Sequence, residues 1–388
     1  MPEPRLTELR KFIAPEFVFG PGASALTARY ARNFHASRVL LVSDPGVMEA
    51  GWTEQVAESL RAAGVTPVLF ADVSPNPRDH EVMRGADVYA AEGCEAIVAV
   101  GGGSPMDCAK AIGVAQANGA HVLSFEGVDN VPEPGPPLIC LPTTSGSAAE
   151  VSQFSIITDT GRSVKIAIVS KTMIPDVALI DPVLTTTMDA HLTACTGLDA
   201  LTHAVEAYVS NAHFAITDQF ALSAIRRIAG NLLSAIRSPG DIEARSQMLL
   251  ASLEAGLAFS NAILGAVHAM AHSLGGLLDL PHGEVNALLL PYVADYNFDA
   301  CPKRYRDVAT ALGVDEAGLS DTQTRRALFD GLVRLKNTAG ITSTLGQLGV
   351  DENDLAGLAR NAARDPCLLT NPKSAGEDDL RRLYAQAL

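Results

Sequence analysis

The sequence predicts an α/β domain over residues 1–188 and an all-α domain over residues 189–388. Three observations lead there. In the first half, short apolar runs end in Gly, Pro or Asp and alternate with amphipathic stretches, the pattern of a buried parallel sheet. Beyond about residue 185 the strand-like runs nearly vanish and apolar residues recur at helical spacing. The length, 388 residues, suits two domains at roughly 150 residues each.

Taken in order, Val39–Val42 is the first apolar run and stops at Ser43-Asp44-Pro45-Gly46. Thr53–Ala63 follows as a helix, Val68–Val73 as a strand ending at Pro75-Asn76-Pro77, and Asp79–Glu92 as another helix. Ile97–Val100 runs into Gly101-Gly102-Gly103, and Leu138–Leu141 into Pro142. Ser155–Thr158 and Lys165–Val169 flank Asp159-Thr160-Gly161, turn chemistry that predicts a β-hairpin. Val177–Ile180 is the last strand. The second half reads as helices at Leu198–Val209, Asp218–Ile236, Glu243–Ala258, Ala262–Leu277 and Arg304–Leu312. Within it, Ala255–Leu278 holds no Asp, Glu, Lys or Arg and is long enough to span a bilayer. Its two histidines, its Ser and Asn residues and its acidic flanks Glu254 and Asp279 predict instead a buried helix, with no membrane partner.

Composition narrows the function. With 47% hydrophobic and 19% charged residues, the chain is too apolar to be disordered. Its 29 basic and 44 acidic residues give a net charge of −15, which argues against nucleic acid as a partner, since phosphate contacts need clustered Lys and Arg. The six cysteines form no C-x-x-C pair, and Met1–Arg10 has no apolar leader core. Both features predict free thiols in the cytoplasm.

Two groups of residues carry chemistry. The first is Val100-Gly101-Gly102-Gly103-Ser104-Pro105-Met106-Asp107. A strand running into three glycines and then a helix start offers open backbone N–H groups and a positive dipole end, which suit a pyrophosphate. Ser104 is the expected N-cap, Pro105 the first helical residue, and Asp107 the acid of a capping box. A G-x-G-x-x-G/A fingerprint would need a small residue where Met106 stands. The acid expected to read an adenosine ribose, and to repel a 2′-phosphate, is Asp44 after the first strand. Thr143, Thr144 and Ser147, in a hydroxyl-rich loop after another strand, are expected to donate to phosphate or nicotinamide.

The second group is Asp199 and His203, at i and i+4 on one helix face, with His268, His272 and His282 in or beside the uncharged stretch. Buried imidazoles need partners. Asp199, His203 and two or three of the other histidines would make a nitrogen/oxygen site for a divalent metal. The spacing does not decide which histidines are ligands, nor which metal is bound.

With these pieces in view, the chain resembles the iron-containing (group III) alcohol dehydrogenases. The resemblance runs nearly end to end, through Phe17-Val18-Phe19-Gly20-Pro21-Gly22, Pro75-Asn76-Pro77, Gly101–Ser104 with Asp107, and Pro142-Thr143-Thr144-x-Gly146. It continues in Thr196–Glu206, His268-Ala269-Met270-Ala271-His272, His282-Gly283, Asp365-Pro366-Cys367 and Thr370-Asn371-Pro372. Many members read G-T-G-S-E after the Thr pair. The alanines in Gly146-Ser147-Ala148-Ala149-Glu150 are similar to the lactaldehyde/1,2-propanediol branch.

The resemblance implies an N-terminal dinucleotide-binding α/β domain and a helical metal-binding domain, the dehydroquinate synthase-like fold. It implies metal ligands Asp199, His203, His268 and His282, with His272 a catalytic non-ligand. Cofactor contacts would be Asp44, Asn76, Gly102, Gly103, Ser104, Thr143, Thr144 and Lys165, and Phe259 and Cys367 would line the substrate pocket. The implied activity is hydride transfer between a small alcohol or diol and NAD, with Fe2+ or alternatively Zn2+, in a homodimer or larger homo-oligomer. Glycerol dehydrogenases and dehydroquinate synthases share the architecture, and some relatives resemble alcohol-dehydrogenase-like regulatory proteins of the ErcA type.

Overall fold

The computed structural model describes residues 9–162 and 164–388. The chain divides into two compact units, Ile13–Thr187 and Met188 to the C-terminus. Phe12 belongs with the second unit, where its ring lies against Phe214 and Phe220.

The α/β unit begins with β1 (Glu16–Phe19), α1 (Thr27–Asn33), β2 (Arg38–Val42), α2 (Pro45–Glu49), α3 (Trp52–Ala62) and β3 (Thr66–Phe70). It continues with α4 (Asp79–Ala91), β4 (Ala96–Gly101), α5 (Gly103–Asn118), β5 (Gly127–Val128) and β6 (Leu138–Pro142). It ends with β7 (Phe154–Asp159), β8 (Val164–Val169) and β9 (Val177–Ile180). Six strands form one sheet in the order β1-β9-β6-β4-β2-β3, every neighbouring pair parallel. The alternation of side chains sorts the core onto two faces. Leu40, Val42, Ile97, Ala99 and Cys140 pack on one side, and Val39, Leu41, Val98, Val100, Ile139 and Leu141 on the other.

The expected hairpin is present. β7 and β8 pair antiparallel from Phe154↔Val169 to Asp159↔Val164, and β5 extends them to a second, three-stranded sheet. Two details differ from expectation. The strand expected over Val68–Val73 is Thr66–Phe70, because its ladder with β2 closes at Val42↔Phe70. The helix after β4 begins at Gly103 with Gly102 as its N-cap, so Ser104 is not the cap and Pro105 not the first helical residue.

The helical unit comprises α6 (Ala190–Val209), α7 (Ala215–Arg237), α8 (Ile242–Ala262), α9 (Ala266–Leu278) and α10 (His282–Asn297). It is completed by α11 (Pro302–Ala311), α12 (Asp321–Thr338), α13 (Leu355–Ala362) and α14 (Glu377–Ala387). The uncharged stretch is not one helix. It is the end of α8 and all of α9, which meet at 99°. The break falls at Ile263, with φ 61°, a left-handed conformation that a β-branched residue rarely adopts. No single described helix is long and apolar enough to cross a membrane. All six cysteines are buried and unpaired.

Candidate active site

In the α/β unit, β2 connects to β3 on one side while β4 and β6 lie on the other. Such a reversal opens a crevice at the carboxyl ends of the strands, and the predicted loops all lie at that edge. Asp44 follows β2, Gly101–Gly103 closes β4, and Thr143-Thr144 follows β6. The Thr143 N–H donates to Gly101 O at 2.9 Å. A Cβ on Gly102 or Gly103 would stand only 3.2 Å from Thr144 or 3.0 Å from Ser147, so the glycines let the two loops pack. No side chain caps the first turn of α5, which leaves its backbone donors open to a ligand.

Other predicted residues have structural partners. Asp44 caps α2, accepting the Val47 N–H at 3.0 Å. Lys165 Nζ donates to Asn76 Oδ1 at 2.7 Å, and the Ser104 hydroxyl donates to Pro75 O. Asp107 forms no capping box. Its carboxylate reaches β7 and accepts the Ile156 N–H at 3.1 Å. Burial pushes its pKa up to about 6, against the opposing effect of Lys110 nearby.

In the helical unit, α6, α9 and α10 bring Asp199, His268 and His282 together, with one donor atom from each within 4.8 Å of the others. Asp199 Oδ1 lies 3.9 Å from His268 Nε2 and 4.0 Å from His282 Nε2. His203 stands beside this trio, its ring stacked on His268 at 4.5 Å and on Phe259 at 4.4 Å. A single nitrogen, Nδ2 of Asn286, reaches all three donors at 2.7, 3.1 and 3.2 Å.

The orientation of His268 has a clear cause. Glu206, seven positions beyond Asp199 on α6, places Oε2 2.5 Å from His268 Nδ1. Its other oxygen accepts the Val267 N–H at 2.7 Å, while Asn371 Oδ1 accepts the Ala266 N–H at 3.1 Å. Together they satisfy first-turn donors of α9, which has no side-chain cap of its own. Burial pushes Glu206 up to about 7 and His268 down to about 3. A neutral imidazole held at Nδ1 by a carboxylate presents its Nε2 lone pair, the arrangement that metal-ligating histidines use.

His272, one turn further along α9, is stacked 5.4 Å from His282, and its Nδ1 lies 2.8 Å from Asp365 Oδ2. Burial works to raise the Asp365 pKa, but the His272 charge and hydrogen bonds from His272 and the Cys367 N–H outweigh it. The carboxylate therefore stays ionised and can only accept, so Nδ1 carries the proton. Cys367 is buried beside this pair, its N–H donating to Asp365 Oδ1 at 2.8 Å. Sequence reasoning gave no role to Glu206, Asn286 or Asp365. The available signal was the need of each buried histidine for a polar partner.

Both halves of the chain match known proteins. Residues 14–182 match the family model "iron-containing alcohol dehydrogenase", and residues 193–388 match "Fe-containing alcohol dehydrogenase family, C-terminal". A 1,3-propanediol dehydrogenase of Citrobacter freundii is 42% identical over 371 residues, 95% of this chain and 96% of that protein. An NAD-dependent methanol dehydrogenase of Bacillus methanolicus is 37% identical over 377 residues, 97% of this chain and 99% of that one. The crystal structure of a 1,3-propanediol oxidoreductase superposes with a TM-score of 0.95 at 40% identity, covering 98% of this chain and all of the other. With both units matched and a cluster of nitrogen and oxygen donors of the kind that holds iron, the chain belongs to the iron-containing alcohol dehydrogenase family.

Proposed function

We propose that this chain is an NAD(H)-linked dehydrogenase of small alcohols or diols, running as an aldehyde reductase in the opposite direction. One observation carries the reading: the Asp199, His268 and His282 donors meet beside a His272–Asp365 pair in the same helical unit. The donor set suits Fe2+ and equally Zn2+, since imidazole and carboxylate serve both. Asp199, His268 and His282 would hold the ion, with His203 beside them as a further ligand. When bound there, such an ion would supply Lewis-acid polarisation of the substrate oxygen, favouring alkoxide in one direction and an electrophilic carbonyl in the other.

The chain's own groups do the rest. Glu206 fixes the His268 ring, and Asp365 fixes His272 with its Nε2 left to exchange the hydroxyl proton with solvent. Phe259 and Cys367 border the metal side of the substrate pocket. In the α/β unit, the open start of α5 and the Thr143–Ser147 loop hold the pyrophosphate, with Lys165 as a local cation. Asp44 binds the adenosine ribose and disfavours the 2′-phosphate of NADP. Neutral backbone donors let a chain of charge −15 bind the dianionic pyrophosphate of the cofactor. The assembly is a homodimer joined at β1, an edge strand that pairs only with β9 among the described residues and carries Phe17, 42% exposed. The six unpaired thiols suit the cytoplasm.

The test is metal analysis of anaerobically purified protein together with turnover of C2–C4 alcohols and diols with NAD+ and NADP+. One tightly held divalent ion per chain and NAD+-dependent oxidation are expected. Nucleotide binding without turnover across the panel would instead identify a regulator.

A further inference from the structure

A second group of donors lies one helical turn from the first. His191 and Cys195 sit at i and i+4 at the start of α6, and Glu284 is on α10 between His282 and Asn286. His191 Nε2 is 3.5 Å from Cys195 Sγ and 3.7 Å from Glu284 Oε2, and all three donor atoms lie within 4.8 Å of one another. Zinc bonds of about 2.3 Å to sulfur and 2.0–2.2 Å to nitrogen or oxygen, at tetrahedral angles, separate such donors by roughly 3.4–3.6 Å. The two separations from His191 are therefore already close to those of one bound ion, and the third needs no more than a small closure.

Its surroundings fit as well. Ser343 Oγ donates to Glu284 Oε1 at 2.6 Å, which leaves Oε2 to face the histidine, as outer partners orient metal-binding carboxylates. Glu284 and Cys195 are buried while the His191 side chain is 61% exposed, so the fourth position opens to water. Among the described residues the ion-pair partner of Glu284 is His191. The frame is rigid here. A Cβ on Gly283 would stand 2.4 Å from Cys195 O, so α6 and α10 touch backbone to backbone.

We propose that His191, Cys195 and Glu284 form a second metal site, for a thiophilic divalent ion of the zinc class. Binding forms one metal–sulfur bond and releases the thiol proton of Cys195 to solvent. The ion ties the first turn of α6 to α10, the helices that carry Asp199 and His282. The sulfur ligand distinguishes this site from the Asp199 cluster, whose donors are nitrogen and oxygen only.

Titration of the anaerobically purified holoprotein with Co2+ tests it, because only a thiolate ligand gives a near-ultraviolet sulfur-to-cobalt charge-transfer band. The band should saturate at one equivalent, be displaced by Zn2+ and be absent in Cys195→Ser. It should weaken by at least ~10-fold in affinity in His191→Ala. It should persist in His268→Ala, which separates this proposal from the reading of the first site. Absence of the band in the unaltered protein overturns the proposal. Persistence in Cys195→Ser also overturns it, moving the ligand to Cys367 beside His272 and Asp365. Should Cys195→Ser melt early, the exposed His191 carries the test, and unchanged affinity in His191→Ala overturns the assignment.

Discussion

The Asp44 carboxylate accepts the Val47 N–H at 3.0 Å, a bond that Asn would keep because it caps helices as well as Asp does. Asp44→Asn thus removes charge without removing the cap. Its kcat/KM with NADP+ relative to NAD+ should rise on the order of tenfold or more, since like charges about 4 Å apart repel by roughly 1–4 kcal/mol. An unchanged ratio would separate Asp44 from cofactor choice. In the helical unit, His272→Ala should retain the metal and lose roughly 10²-fold in turnover. Loss of metal would make His272 a ligand. Its partner contributes to pH dependence. The folded-state pKa of Asp365 is held below the ordinary 3.8, so its stabilising effect is complete above pH 3.8 and is lost as pH falls through the lower folded value. Urea melts of Asp365→Asn should lack that part of the acid loss. Asp199 and the histidines were legible in the sequence because buried imidazoles at helical spacing demand partners. Glu206 and Asp365 were not assigned, because their partners come from other elements, 62 and 93 residues away in the chain.

At the scale of elements, the central strands were legible because parallel strands buried on both faces are apolar throughout, as in β4 and β6. Boundaries set by geometry rather than composition were harder. Ser104 has the better capping side chain, yet the helix starts two residues earlier, where the glycines are drawn against Thr144 and Ser147. In the uncharged stretch the sequence separated helices at Glu243–Ala258 and Ala262–Leu277, but the break falls a few residues later, at Ile263, a residue with no turn signature. Only the fold reveals why α9 can start there: Glu206 and Asn371, from distant segments, supply its missing acceptors. The contact between α6 and α10 is tightly constrained, backbone against backbone at Gly283 and Cys195. Gly283→Ala would push a methyl into Cys195 O, at a cost of about 1–3 kcal/mol. The expected result is a lower melting temperature together with weaker metal retention. A variant as stable as the parent would show that the two helices can part without loss.

At the scale of the whole molecule, the division into two units gives each its own task. The α/β unit carries the open helix start and Asp44, the acid proposed to read the ribose, and the helical unit carries the candidate metal-donor clusters found among the described residues. Removing the metal should therefore destabilise the helical unit selectively, since a ligand stabilises only what it binds. The buried thiols turn that expectation into a measurement. Cys94, Cys108 and Cys140 lie in the α/β unit, and Cys195, Cys301 and Cys367 in the helical one. A shielded thiol reacts with an alkylating reagent only when its surroundings open, so its labelling rate counts local openings. The chain thus carries three natural clocks in each half. Chelation should quicken the helical set and leave the other three at their former pace, readable by mass spectrometry of peptides from unmutated protein.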